Sequence, residues 1–278
     1  QFGGCLPIRF NYDDTWHSNG NMSIQCHPTD EMAQMLYGDF AAQNEAYYVV
    51  MTGHDARTYC GFKQDGRAFL DLCRRSEKED SIVPYQDYIH AIPSEVGRQI
   101  FLPAGTVHGS GRNQVVLELG TLTTSAYTYK IYDYTRMDIN GRPRPLHTKL
   151  AEQALHFERN SEWVMENIAF KPKLLQVGPG WKELLVGQYE TMYFETHRIE
   201  METGSKYSGD NGDGFCVITI VDGEAARIQS VDDPYSYYEA KYLDVILVPA
   251  SMPRYEVIAE GKQPVVLHKA FVREDKYQ

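Results

Sequence analysis

Two stretches of the 278-residue sequence occur twice, in the same order. Asn44-Glu-Ala-Tyr-Tyr-Val-Val-Met-Thr-Gly53 aligns with Gly214-Phe-Cys-Val-Ile-Thr-Ile-Val-Asp-Gly223 at an offset of 170. Ile100-Phe-Leu-Pro-Ala-Gly-Thr-Val-His108 aligns with Ile246-Leu-Val-Pro-Ala-Ser-Met-Pro-Arg254 at an offset of 146. Self-similarity of this kind fixes architecture before any single motif is trusted. The offsets differ by 24 residues, which the first copy carries between its two segments, so the chain reads as two β units, one decorated and one plain. The junction falls near Phe170 to Gly180, where Lys171-Pro-Lys and Gly178-Pro-Gly break the pattern. Domains of 1–170 and 171–278 follow.

The repeated segments belong to a wider series of short runs rich in Val, Ile, Tyr and Phe. These are Tyr47 to Met51, Ile100 to Pro103, Val115 to Leu119, Tyr127 to Tyr132, Phe215 to Val221 and Val245 to Pro249. Gly, Asp, Asn and Pro separate them, which is the cadence of an all-β sandwich or barrel. Three stretches read as helices: Asp30 to Tyr37, with Thr29 as N-cap and acidic residues in the first turn, Arg67 to Lys78, and Lys149 to Arg159. They are too few and too irregularly placed for a parallel α/β sheet. The second lies inside the 24-residue excess, so the first unit is expected to carry a helical insertion.

Composition narrows function more than fold. At 42% hydrophobic residues the chain can bury a sizeable core, while a net charge of -11 disfavours a general affinity for nucleic acid or an anionic membrane. An anionic substrate therefore needs a local cluster of cations. Cys5, Cys26, Cys60, Cys73 and Cys216 are odd in number and form no CxxC pair, which suits reduced thiols in a cytoplasm. The longest apolar runs, such as Val245 to Val248, are far short of the roughly 20 residues that a membrane span needs. No charged and apolar signal segment opens the sequence, which begins at Gln1 rather than Met and leaves any upstream segment open.

In the first copy Gly97, Pro103, Gly105 and His108 are separated by five, one and two residues. A strand rising to a tight Pro-Ala-Gly turn would aim the His108 imidazole inward, where a neutral nitrogen suits a divalent cation. Upstream, Gln25 and His27 stand two apart, which on a strand puts both on one face, and Glu45 opens the next strand 18 residues after His27. Two imidazoles, a carboxylate and an amide oxygen leave a coordination position open, as a catalytic metal site requires. This mix of nitrogen and oxygen favours Zn, one ion per chain, with Mn, Fe or Co as alternatives. The Gly97 to His108 spacing resembles the second signature of the cupin barrel, except that Arg112 stands where that signature has Asn. The expected fold is therefore two cupin, or jelly-roll, barrels. Gln25 and His27 align at offset 170 with Glu195 and His197, but Glu45 aligns with Phe215 and His108 with Arg254, so the second barrel is expected to be degenerate and metal-free.

A longer series of motifs resembles the type I mannose-6-phosphate isomerases, in a divergent long-form branch. It comprises Ser23-Ile-Gln-Cys-His-Pro28, Asn44-Glu-Ala-Tyr-Tyr-Val49, Thr58-Tyr-Cys-Gly-Phe-Lys63, Leu102-Pro-Ala-Gly-Thr-Val-His108 and Tyr129-Lys-Ile-Tyr-Asp-Tyr-Thr-Arg136. Asp138-Ile-Asn-Gly-Arg-Pro-Arg-Pro-Leu-His147 continues it. The resemblance implies interconversion of mannose 6-phosphate and fructose 6-phosphate through an enediol. It also implies one zinc ion at Gln25, His27, Glu45 and His108.

Such chemistry needs a proton carrier between C1 and C2, for which Glu118 and Lys130 are the candidates. It also needs a phosphate clamp, for which Lys130, Arg136, Arg142 and Arg144 form the densest basic group, with Arg136 also counted among the catalytic candidates. The chain departs from the family pattern at Gln43, where short members carry Lys, and at Lys130 and Ala126, where they carry an Arg. Exchanging Arg for Lys keeps the charge and loses the bidentate fork. Two other functions fit the same residues: a cupin enzyme acting on another sugar, and a non-catalytic sugar-binding or regulatory cupin. The expected ligand is a small sugar phosphate, with neither nucleic acid nor membrane as partner. Tyr235, Tyr237 and Tyr238 read as an edge loop of the second barrel.

Overall fold

A computed structural model describes residues 8–18, 20–79, 81–121, 127–169, 171–233 and 235–273. They form two compact units on either side of position 170. Both are built from antiparallel sheets. In the first unit a four-stranded sheet has the order Ile8–Asp14, Gln114–Thr121, Glu45–Thr52, Gln99–Leu102. A five-stranded sheet has the order Ile89–Pro93, Arg57–Phe62, His108–Ser110, Ile24–Cys26, Tyr129–Tyr132. The second unit pairs a six-stranded sheet with a four-stranded one, and residues from both supply a single core that includes Ile199, Tyr207, Ile218, Ile228, Tyr255 and Leu267. This is the all-β, cupin-like architecture that the strand cadence predicts.

The sequence repeat has a direct structural meaning. In the first unit its two segments are neighbouring strands, with Glu45 opposite Leu102. In the second the corresponding strands are again neighbours, with Cys216 opposite Val248. The decoration of the first unit is an insertion between the strands of one hairpin, Arg57–Phe62 and Ile89–Pro93, where the helices Gly66–Glu79 and Tyr85–Tyr88 replace a short turn.

That insertion decides which way the five-stranded sheet faces. Phe69, Leu70 and Cys73 of the longer helix are buried against Ile24, Cys26, Phe62, Ile89, Tyr129 and Ile131. Full burial of such side chains contributes about 2 kcal/mol each. Because side chains alternate along a strand, committing Ile24, Cys26, Tyr129 and Ile131 to the helical layer turns Gln25 and Lys130 toward the opposite face. The free thiols Cys26, Cys60, Cys73 and Cys216 are all buried, and burial pushes the Cys60 thiol up to about 12.

The helix Asp30–Tyr37 has its expected bounds. Thr29 caps it by accepting from the Met32 N–H, and Gly38, at φ 68°, ends it. The helix expected over Lys149 to Arg159 is shorter, Thr148–Ala154. Leu155 leaves the helix in extended conformation because the next residue is recruited elsewhere: His156 N–H donates to the Gly105 carbonyl at 2.9 Å. Two helical segments were not anticipated. One is the helical turn Tyr85–Tyr88; the other is the helix Ser161–Asn167, whose N-cap Asn160 accepts from Trp163 N–H. Among the described residues no helix is long and apolar enough to cross a membrane.

Candidate metal centre

His27, Glu45 and His108 converge, each fully buried, with one ligating atom apiece inside a span of 4.8 Å. His27 Nε2 lies 3.2 Å from Glu45 Oε1, and His108 Nε2 lies 3.4 Å from Glu45 Oε2. The other nitrogen of each ring is committed to a backbone carbonyl: His27 Nδ1 to Tyr127 at 3.0 Å and His108 Nδ1 to Thr106 at 2.9 Å. Those bonds place the proton on Nδ1 and present Nε2 as a lone-pair donor, the usual outer support of a metal-bound histidine. His27 Nε2, His108 Nε2 and Glu45 Oε2 are buried and make no hydrogen bond of proper direction. Three orphaned polar atoms on one point are costly unless a cation satisfies them, and their donor chemistry fits a divalent metal.

Local backbone contacts hold the three ligands together. Gln25 pairs with His108 on one side and Lys130 on the other, so these three side chains form a row across neighbouring strands. The Pro103-Ala-Gly turn is tied to both remaining ligand segments. Gly105 N–H donates to the His27 carbonyl at 3.0 Å, and Ala104 N–H donates to Asn44 Oδ1 at 2.9 Å, next to Glu45. Arg159 closes the turn from outside, donating to the Ala104 carbonyl at 2.8 Å and to Thr106 Oγ1 at 2.6 Å. Gly105 adopts φ 77°, and a Cβ there would sit 2.4 Å from His156 and 2.5 Å from the Ala154 carbonyl. Gly105→Ala is expected to cost about 2 kcal/mol or more and to weaken metal retention, as read by chemical denaturation and metal analysis.

A cavity of about 430 Å³ opens beside this cluster, lined by Gln25, Glu45, Glu118, Lys130, Arg136 and Arg144 among others. The sequence anticipates these six but not Arg9 or Asp13. Arg9 reaches Glu45 at 3.1 Å and also pairs with Glu118. Arg9 and Glu45 both lie opposite Gly120, whose missing side chain leaves the row open between them. Asp13 lines the same cavity, and Gln43 donates to Glu45 Oε1 at 2.5 Å. Burial, with the nearby Glu45 and Asp13, pushes the Glu118 carboxyl up to about 10. The alternation Arg9, Asn11, Asp13 on one strand was the available signal, a polar stripe on a face that has to point inward.

The basic group is organised by one acid. Asp133 is 2% exposed and is approached by Arg136, by Arg144 Nε at 3.1 Å and by Lys130 Nζ at 3.9 Å. One carboxylate under three cations leaves a net positive wall on the cavity. Arg142 is not part of it: the residue is exposed in a turn, where its N–H donates to Asp138 Oδ1 at 2.9 Å. Ala126 lies outside the described residues.

In the second unit His197 occupies the place aligned with His27, but both its nitrogens are engaged. Nδ1 lies 2.6 Å from Glu183 Oε1 and Nε2 lies 2.9 Å from Glu195 Oε1. An imidazole held this way has no lone pair to offer.

No family model matches the sequence. It is 29% identical over 130 residues to the mannose-6-phosphate isomerase ManA of Bacillus subtilis, a match over 46% of this chain and 38% of that protein. Over 133 residues it is 29% identical to the mannose-6-phosphate isomerase of Streptococcus mutans, covering 47% of this chain and again 38% of the relative. The matched part thus spans about two fifths of the length of these curated relatives. The fold superposes on the crystal structure of the mannose 6-phosphate isomerase from Bacillus subtilis with a TM-score of 0.75, at 21% identity, over 96% of this chain and 76% of that one. The chain is thus similar in sequence, over about half its length, to mannose-6-phosphate isomerases, and its cupin-like fold is like theirs.

Proposed function

We propose that the chain is a metal-dependent aldose–ketose isomerase that interconverts mannose 6-phosphate and fructose 6-phosphate through an enediol. The observation that carries this reading is the convergence of His27 Nε2, His108 Nε2 and Glu45 Oε2, buried and without hydrogen bonds, at the wall of a cavity with a cationic side. Those three residues, with Gln25 as fourth donor, would hold one divalent ion, zinc by the donor set. When bound, such an ion supplies Lewis acidity for the carbonyl and for the charge of the enediolate, typically worth several kcal/mol.

The remaining work falls to the chain's own groups. Lys130, Arg136 and Arg144 bind the phosphate dianion, and buried Asp133 fixes the spread of their charges. Lys130 also stands beside Gln25 in the strand register and lines the same cavity. Glu118 is the other candidate for carrying the proton from C1 to C2, hydrogen-bonded with Asp13 and paired with Arg9. The first unit carries the chemistry and the second is structural; the setting is cytoplasmic.

Appearance of fructose 6-phosphate from mannose 6-phosphate, lost with a chelator and restored by zinc, tests the reading. Binding of the sugar phosphate without turnover would favour a non-catalytic cupin, and turnover only of another sugar would change the substrate. Lys130→Ala is expected to lower kcat at least about a hundredfold while bound metal stays stoichiometric. Unchanged turnover in that variant removes Lys130 from the mechanism.

A further inference from the structure

The first unit holds a second concavity, of about 600 Å³, lined by Arg57, Tyr59, Tyr85, Arg112, Tyr134 and Arg136 among others. Tyr59, Tyr85 and Tyr134 also pack with the insertion's helical layer. Arg136 alone, among the residues lining either space, lines both this cavity and the metal cavity.

Its walls have two chemistries. One is aromatic: the Tyr85 ring meets Tyr59 edge-on at 5.3 Å and Tyr134 edge-on at 5.2 Å. Asn21 Nδ2 holds the Tyr85 hydroxyl at 2.8 Å, and Asn21 Oδ1 accepts from Arg112 N–H at 3.0 Å, so one amide positions both the ring and the base of the arginine. Tyr134 and Thr135 are consecutive non-glycine residues in the left-handed region, at φ 56° and 54°. Such conformations cost on the order of 1–3 kcal/mol each and collect at ligand-binding turns. Here the turn delivers Tyr134 and Arg136 to the cavity.

The other chemistry is cationic. Three guanidiniums face one carboxylate, Asp55, in a chain whose net charge is -11. Asp55 is paired with Arg57 at 2.5 Å and Arg136 is paired with Asp133, whereas the Arg112 guanidinium makes no ion pair or hydrogen bond among the described residues. An unpaired guanidinium beside tyrosine rings suits a planar or sugar ring that carries a doubly charged oxyanion. The volume is in the range of small-molecule sites.

We propose that this cavity is a second ligand site, separate from the metal centre, for a phosphate monoester carried on a ring, with the phosphate on Arg112 and the ring against Tyr85 and Tyr134. Calorimetric titration of the full, metal-loaded chain with inorganic phosphate, adenosine 5′-monophosphate and mannose 6-phosphate tests it and separates a nucleotide from a sugar phosphate. At least one ring phosphate should bind about tenfold or more tighter than inorganic phosphate, in addition to any binding at the metal centre. Arg112→Ala should weaken that ring phosphate about tenfold or more, Arg112→Lys should weaken it less, and Lys130→Ala should leave it unchanged. Arg112 is exposed, so its replacement leaves the fold intact. Equal binding of all probes to wild type and Arg112→Ala overturns the proposal, as does inorganic phosphate binding as tightly as both ring phosphates. The readout is binding, so absence of isomerase turnover would leave this result separately legible.

Discussion

His108→Ala will leave the purified chain without a stoichiometric divalent ion and will lower mannose 6-phosphate turnover by about a thousandfold or more, the equivalent of the several kcal/mol a Lewis acid supplies. The imidazole Nδ1 is fixed on the Thr106 carbonyl, and among the described residues its Nε2 meets Glu45, at 3.4 Å. Removing it deletes one of three buried donors and leaves only Glu45 and His27 of that cluster. Elemental analysis of the protein beside a coupled assay reads both quantities, and circular dichroism separates loss of metal from loss of fold. Retention of one tightly held ion per chain in this variant would sink the assignment of the centre, whatever the activity.

The second large effect concerns stability. Glu183→Ala will destabilise the second unit by about 3 kcal/mol, because it takes a carboxylate from beside buried Lys269 and one of the two carboxylates that hold His197. Glu183 is 3% exposed and takes His197 at 2.6 Å, Gln176 at 2.5 Å and the Tyr207 hydroxyl at 3.2 Å. Burial alone would raise its pKa; the bonds from His197 and Gln176 and the charge of Lys269 outweigh burial and bring it down to about 2. Burial would lower the pKa of His197, and its bonds to Glu183 and Glu195 raise it above 6.5 instead.

The two shifts act in opposite directions. The Glu183 contribution is complete above its unfolded value of 4.5 and is lost as pH falls toward about 2. The His197 contribution is complete below 6.5 and is lost as pH rises through the raised folded value. The network's contribution is therefore greatest between pH 4.5 and 6.5. Trp181, whose ring stands 5.0 Å from Tyr207, is the second unit's one tryptophan and reports its unfolding in urea. A wild-type midpoint that does not change with pH, or a variant that follows the wild-type profile, contradicts this account.

Much of the fold was legible because its rules are local. Alternating apolar runs and turn residues mark strands wherever they occur, and the repeat marked two β units, while the pairing of its two segments as neighbouring strands came from the structure. Thr29 and Gly38 marked both ends of one helix through capping chemistry confined to a single turn. The helix expected to run to Arg159 fails for a non-local reason. His156 is taken by Gly105, 51 residues earlier, and no local propensity anticipates that bond.

The candidate centre divides along the same line. Residue types and spacing singled out Gln25, His27, Glu45 and His108, because a period of two and a Pro-Ala-Gly turn are enough to aim side chains. Arg9 and Asp133 passed unnoticed, since each matters only through a partner: Arg9 through Glu45 and Glu118, 36 and 109 residues away, and Asp133 through three cations gathered over it. Arg142 shows the converse, a basic residue in the right stretch of sequence that the turn carries out to solvent. The order of residues thus determined the strands, the repeat and the donors, since these depend on neighbours along the chain. Only the packed structure decided which charges meet, which lone pairs stay free and which face of each strand is inside, because burial and electrostatics act through space.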